Sequence, residues 1–412
     1  MAETKNKNWG IIIIAAIVVI AAIFYFTQQK GPVVGKKQDI KVGIILGFTG
    51  PIESLTPTMG DSAELAFKEA TDSGLLLGGG NYIVPMRADS TCIDADAATA
   101  AAERLITSDE VVAIFGADCS GVTTAIANNV AVPNGVSMIS PSATSPALTT
   151  IDDNGLFFRT APSDARGGQI LAAIAKDRGL SNVAITYTNN DYGKGLADVF
   201  AASFKELGGS VSMVAAHEDG KGDYSAEVGA LAASGGEDLV VIGYLDQGGR
   251  GMIQSSLDSG SFDRFVLSDG MIGQSLIDNV QGDITGSFGS MPGSESDGAK
   301  MFVELAATAG IDGTGPYAPE SYDAGALIAL AMQAGNSADR ASIAANIQKV
   351  ANAPGTKIYP GELAKGLKIL ADGGFVNYEG ASNVEFTDVG EASGSFKELE
   401  IKGGAFETVA VR

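Results

Sequence analysis

Residues 115–149 read FGADCSGVTTAIANNVAVPNGVSMISPSATSPALT, and this stretch decides the fold. An apolar run over 111–115 enters a small polar turn, Gly116-Ala117-Asp118-Cys119-Ser120. A helix-like segment follows, then a second apolar run over 136–139 and another polar turn, Ser140-Pro141-Ser142-Ala143-Thr144. The pattern predicts two neighbouring parallel strands that end in loops rich in hydroxyls and free N–H groups. In an open α/β sheet that carboxyl edge is where ligands sit. Ser120 falls at a helix N-terminus, where unpaired N–H groups and the helix dipole favour an anion. The alternative role for Ser120 is a simple helix cap. The stretch suits a small carboxylate, and no catalytic group lies beside it.

Working outward, the same alternation continues. Short β-branched runs at 40–46 and 82–86 join those at 111–115 and 136–139, separated by Ala-rich helical stretches at 61–71, 95–107 and 121–129. A second series starts near Pro162, with strands predicted at 183–187, 211–215, 239–243, 265–267 and 284–290. Its helices are predicted at 164–177, 192–207, 225–233, 248–259 and 274–279. Strands alternating with helices mean parallel sheets covered on both faces. The tail differs, with helices predicted at 298–309, 320–333 and 337–352 and short Gly-punctuated strands over 382–411. At 412 residues the chain exceeds one ordinary core, so two domains are expected.

The formal net charge is −22; residues 1–38 carry +4, leaving −26 on the remainder. Such an acidic body excludes a nucleic-acid partner, since phosphate binding needs a basic face. There is no nucleophile elbow, no metal-ligand cluster and no dinucleotide fingerprint, so neither an enzyme, a metal site nor a cofactor is expected. The single His217 stands beside Glu218 and Asp219 and is expected at the surface. The two cysteines, Cys92 and Cys119, each follow a predicted strand at one sheet edge. They favour a disulfide and an oxidising compartment, with two buried free thiols as the alternative.

Residues 10–26 form an unbroken apolar run with Trp9 and Tyr25 near its ends. As a helix it would rise roughly 25 Å, slightly short of a hydrocarbon core of about 30 Å. A cleaved signal peptide is the alternative, against which Phe24-Tyr25-Phe26 stands where cleavage needs small residues. The expectation is an uncleaved transmembrane helix and a tether, residues 1–38. Lysines flank the run on both sides, so charge does not decide its orientation.

Several stretches together carry a resemblance. They are KVGIILGFTGP at 41–51, Asp118-Cys119-Ser120, MISPSAT at 138–144, DYGKG at 191–195, SYDA at 321–324 and YEGAS at 378–382. In this order and spacing the chain resembles, over residues 39–412, the type I periplasmic-binding-protein superfamily. Within it the likeness is to substrate-binding components of branched-chain amino-acid ABC transporters. The resemblance implies two doubly wound Rossmann-like lobes joined by three crossovers. Lobe 1 would be 39–161 plus 292–393, and lobe 2 would be 162–291 plus 394–412. It implies that Ser120 and Thr144 hold an α-carboxylate, helped by backbone near Asp118 and Ser142. Asp269, where many relatives carry Glu, would receive the α-ammonium, and Tyr192 would close over the ligand. Tyr322 is a further candidate at the cleft, and Leu55, Thr56 and residues 244–246 map near the side-chain pocket. The resemblance also implies a Cys92–Cys119 disulfide.

The expected function is an extracytoplasmic, membrane-anchored receptor that captures an amino acid and delivers it to an ABC permease. The alternatives are a ligand-binding sensory module, or capture of urea or a short amide.

Overall fold

A computed structural model describes residues 38–412. The apolar run at 10–26 lies outside the described residues. Among the described residues no helix is long and apolar enough to cross a membrane.

In chain order the elements begin with β1 (Asp39–Leu46), α1 (Thr56–Asp72), β2 (Tyr82–Asp89), α2 (Ala95–Glu103), β3 (Ala113–Gly116), α3 (Ser120–Ile126), β4 (Ser137–Ser140) and β5 (Phe157–Arg159). Next come α4 (Asp164–Asp177), β6 (Asn182–Thr188), α5 (Asp191–Glu206), β7 (Ser210–His217), α6 (Ser225–Ala233), β8 (Asp238–Ile242), α7 (Gly248–Ser259), β9 (Phe265–Leu267), α8 (Gln274–Asn279) and β10 (Phe288–Pro292). The chain closes with α9 (Asp297–Thr308), α10 (Ala318–Gly335), α11 (Arg340–Ala351), β11 (Thr356–Ile358), α12 (Leu363–Ala371), β12 (Val376–Tyr378), β13 (Phe396–Lys402) and β14 (Ala405–Val411).

The strands form two main sheets. One is parallel throughout, in the order β2-β1-β3-β4-β5; the other runs β14-β13-β10-β9-β8-β6-β7, antiparallel only at β13 and β14. Every residue of β3, β4 and β8 is buried. These short strands therefore read as continuous apolar runs, as strands covered by helices on both faces do. After β10 the chain returns to the first sheet. Helix α10, buried along almost its whole length, packs between α1 and α11. The chain then crosses again to add β13 and β14. Segments 293 and 395 lie side by side, Gly293 N–H donating to Ser395 O at 2.9 Å.

Strand order reverses at β1/β3 in the first sheet and at β6/β8 in the second. Such reversals open a crevice at the carboxyl ends of the strands. Residues 47–55 and 116–120 leave the first reversal; 189–192 and 243–248 leave the second. At Gly116 (φ +116°) an added Cβ would lie 2.1 Å from Ile45 O, so only glycine lets β3 end that close to β1. The Cys92–Cys119 disulfide ties the loop after β2 to the loop after β3, spanning the end of β1.

Some elements differ from expectation. The strand expected at 284–290 occupies Phe288–Pro292. Thr285 N–H is taken by Asp283 Oδ1 at 2.9 Å and Gly286 has φ +83°, so a turn holds the first residues. Within 382–411, isolated bridges at Phe386, Glu391 and Ala392 aside, strand structure begins only at Phe396. Before it, the N–H groups of Ala381 and Ser382 are bound by the Asp323 carboxylate instead of a ladder. Gly403 and Gly404, both at positive φ, make the two-residue turn of the β13–β14 hairpin. Strands β5, β11 and β12 have three residues each, too few to show a period.

Candidate functional site

The first wall of the crevice is built from the loops after β3 and β4. Asp118 turns its carboxylate toward the loops after β1 and β2. Oδ2 accepts from Gly47 N–H at 2.7 Å, and Oδ1 accepts from Cys119 N–H at 3.0 Å and Ser90 Oγ at 3.2 Å. Ser142 Oγ donates to the Asp118 carbonyl at 3.0 Å, tying one loop to the other. Ser120 opens α3 and is buried; its Oγ accepts from Ser145 N–H at 3.1 Å. Thr144 is buried behind it. Its hydroxyl makes no well-aligned hydrogen bond, although it lies beside the Asp164 carboxyl and lowers its pKa.

The second wall comes from the loops after β6, β8 and β9. Asn190 caps α5 by accepting from Gly193 N–H at 3.0 Å, which sets Tyr192 on the first turn, facing the crevice. Tyr192 and Tyr244 stack with ring centroids 5.3 Å apart. The Tyr192 hydroxyl donates to Asp269 Oδ1 at 2.6 Å and accepts from Gly270 N–H at 3.2 Å. Tyr317, at the start of α10, donates its hydroxyl to Asp269 Oδ2. Asp269 is 7% exposed. Burial raises its pKa above the ordinary aspartate range, while the two phenols pull it back. Asp164 is a second buried acid nearby. Burial raises its pKa well above the usual range, the charge of Asp269 adds to this, and Thr144 and Arg159 oppose it.

Between the walls lies a small, partly enclosed cavity. Ser120, Ser142 and Asp118 line it from one side; Tyr192, Tyr244, Asp269 and Gly270 line it from the other. Ile52, Leu55 and Met59 give it an apolar end, and Tyr317 completes it. No Lys, Arg or His is among the lining residues. An acid held by neutral donors faces hydroxyls and peptide groups, so the cavity can meet opposite charges at opposite ends of one small molecule.

The structure thus brings together Ser120, Ser142, Asp118, Tyr192 and Asp269. Thr144 is adjacent but does not line the cavity. Tyr322 is not there: it is fully buried against Phe302, donates to Glu69 and accepts from Gly361 N–H at 3.2 Å, inside the packing of α10 on α1. Its place one turn into a fully buried helix explains the difference. Leu55 and Tyr244 do line the cavity, whereas Thr56 bonds to the carbonyl of Gly47 at 3.0 Å. His217 is a further correction. It ends β7, is 1% exposed, and its Nδ1 lies 2.8 Å from Thr186 Oγ1. Burial lowers its pKa to about 4. The polar Glu218-Asp219 neighbours mark where the strand ends, and His217 itself still points inward. Tyr317 and Met59 were missed by sequence reasoning. Tyr317 sits in the turn Gly315-Pro316-Tyr317-Ala318-Pro319 at φ +58°, a position with no periodic signal.

A family model described as "Periplasmic binding protein" matches residues 39–363. An amino acid binding protein of Pseudomonas aeruginosa is 27% identical over 300 residues, which cover 70% of this chain and 77% of that relative. A leucine binding protein from Thermotoga maritima superposes with a TM-score of 0.74 at 24% identity, covering 90% of this chain and 98% of the other. A solute binding protein of an ABC transporter from R. palustris, in complex with 4-hydroxybenzoate, gives a TM-score of 0.71 at 18% identity over 91% of this chain and 97% of the other. The two structural likenesses give the fold, that of the type I periplasmic binding proteins. With the family model matching most of its length, the chain belongs to the periplasmic binding protein family.

Proposed function

We propose that this protein is an extracytoplasmic solute receptor that captures an amino acid, or a similar small zwitterion, and hands it to an ABC permease. The observation that carries this is the cavity's charge pattern. It holds the buried Asp269 opposite the Ser120 hydroxyl, whose proton is given to no protein group among the described residues, and none of its described lining residues is Lys, Arg or His. A lone monocarboxylate such as 4-hydroxybenzoate would face Asp269 without a counter-charge, and burying it there costs several kcal/mol. Urea or a short amide would leave Asp269 without a cationic partner. An α-amino acid matches both poles, with its side chain toward Ile52, Leu55 and Met59.

We take the two sheets as the cores of two lobes, 39–161 plus 292–393 and 162–291 plus 394–412, closing on the ligand between them. In this reading Ser120 and Thr144 serve the carboxylate, with Thr144 reached as the lobes shut, and residues 1–38 anchor the receptor to the membrane. The family relatives named above support the receptor role.

The test is a thermal-shift screen of protein unfolded, dialysed and refolded to strip ligand. It would use leucine, isoleucine, other amino acids, urea, acetamide and 4-hydroxybenzoate. A cognate ligand at a hundred times its dissociation constant stabilises by about 2.7 kcal/mol. Stabilisation by an amino acid is the expected result. Stabilisation by 4-hydroxybenzoate or urea with none from any amino acid overturns the reading.

A further inference from the structure

Arg159, at the end of β5, is 1% exposed, far from where a guanidinium is at ease. Burying a charge without partners is costly, so its bonds indicate what the fold gains from it. Nη1 donates to the carbonyls of Ala143 at 3.0 Å and Ser145 at 2.9 Å. Nη2 donates to Thr149 Oγ1 at 2.9 Å and to Glu391 Oε2 at 2.5 Å. The backbone of Arg159 is also laced to the returning segment, its N–H to Gly390 O at 2.9 Å and its carbonyl to Ala392 N–H at 3.1 Å. One rigid fork therefore fixes the loop after β4 relative to the last passage of the chain between the sheets.

Ser145 is the loop residue this clamp serves. Its carbonyl is taken by Arg159, its N–H donates to Ser120 Oγ at 3.1 Å, and its own hydroxyl donates to Asp191 O at 3.1 Å, across the crevice. A serine hydroxyl has one proton and two lone pairs. With a lone pair of Ser120 occupied by Ser145 N–H, its proton is left to donate into the cavity, the polarity a carboxylate requires. We propose that Arg159, held by Glu391, is a positioning residue for ligand binding: it sets Ser145 so that Ser120 presents a donor to the ligand's anionic end. This rests on the amino-acid reading of the cavity.

The experiment is a double-mutant cycle on dissociation constants for the amino acid found in the screen, with Arg159→Lys, Ser120→Ala and their combination. Lysine keeps the charge but cannot reach two carbonyls and Glu391 together. The expectation is about tenfold weaker binding for Arg159→Lys alone and less than twofold in the Ser120→Ala background, because the effect passes through Ser120. Additive losses, or an unchanged dissociation constant in folded Arg159→Lys protein, overturn the proposal. If Arg159→Lys does not fold, Glu391→Gln replaces it, with about threefold weakening that disappears without Ser120. A ligand-free readout separates this from the reading it rests on: hydrogen exchange at Ser145 N–H. Faster exchange in either variant supports the clamp even if no amino acid binds, and unchanged exchange in both overturns it.

Discussion

The two walls of the cavity are held by different chemistry. The first wall is braced covalently and satisfied internally. A disulfide joins its outer turns, and its buried acid, Asp118, accepts from Gly47, Ser90 and Cys119 in the loops after β1, β2 and β3. The second wall carries its acid at the cavity, Asp269 between two phenols, with His217 buried at the carboxyl end of β7 beside β6. Both walls bury an acid, but Asp118 is met by three donors away from the cavity, whereas Asp269 is held by two phenols that themselves line it. If the ligand is the zwitterion proposed above, the first wall's task is to offer donors from a rigid frame and the second wall's is to keep an acid from water. Covalent bracing suits the first task, because loops of small residues have little side-chain area to pack. Burial suits the second, because it is burial that makes an unpaired Asp269 costly.

The sharpest way to break the first wall is to remove its brace. The disulfide closes a separation of 27 residues. In the chain-entropy model such a crosslink is worth about 3–4 kcal/mol. Cys92→Ala with Cys119→Ala should lower the unfolding free energy by that amount in urea denaturation. A loss below about 1 kcal/mol would mean that packing alone holds the wall. The second wall breaks at Asp269. Asp269→Asn keeps the shape and an acceptor for the phenols but removes the charge. Amino-acid binding should weaken by roughly 30- to 150-fold, or about 2–3 kcal/mol, in calorimetric titration. An unchanged dissociation constant would place the ammonium elsewhere.

The second wall should also respond to pH from beneath. Burial pushes the His217 pKa down to about 4 from the usual 6.5. The unfolded chain therefore takes up the proton first. The stability this group contributes is fully present above pH 6.5 and is lost as pH falls toward 4. At pH 4.5 the loss is about 2.5 kcal/mol. Asp323, raised to about 6, and Glu320, raised to about 8, act with the opposite sign, since acids kept protonated by burial favour the fold at low pH. The comparison is accordingly between His217→Gln and wild type at each pH. The variant's urea midpoint should fall less between pH 7 and 4.5. Parallel midpoints would show that His217 is protonated without unfolding.

The same contrast explains what the sequence disclosed. The first wall was legible because strand, turn and helix follow one another within residues 111–144, and the polar turns stand out against apolar runs. Asp269 and Tyr192 were legible through the resemblance. Tyr317 was not. It reaches Asp269 from a residue 48 positions along, through a turn whose side-chain direction is set by the packing of α10. His217 and Tyr322 misled for one reason. Local polarity at a strand end, or a motif position on a helix, does not say which face is covered when helices close both sides of a sheet. The expectation of an N-terminal anchor falls on residues outside the described part of the structure.

The smallest expected effect lies where the walls meet. Asp246, after β8, accepts Ser54 N–H on Oδ2 at 2.9 Å and Ser275 Oγ on Oδ1 at 2.6 Å, and its own N–H donates to Pro51 O at 3.0 Å. Ser54 and Pro51 belong to the loop after β1, so the bonds to them span the crevice, whereas the bond to Ser275 stays within the second wall. Asp246→Ala removes one cross-wall side-chain bond and leaves the backbone bond to Pro51. A hydrogen bond to a charged acceptor that remains partly wet is worth about 1 kcal/mol. If closure is what the ligand selects, that loss falls on the closed form alone and the apparent affinity drops with its population. The expected outcome is about fivefold weaker amino-acid binding by calorimetric titration, with the ligand-free melting temperature unchanged. The ligand-bound protein should still be compact by small-angle X-ray scattering. A fall in ligand-free melting temperature with no change in affinity would instead make Asp246 a brace of the second wall, bonded chiefly to Ser275, and would leave Asp269 and the hydroxyls of the first wall as the groups through which the ligand draws the two walls together.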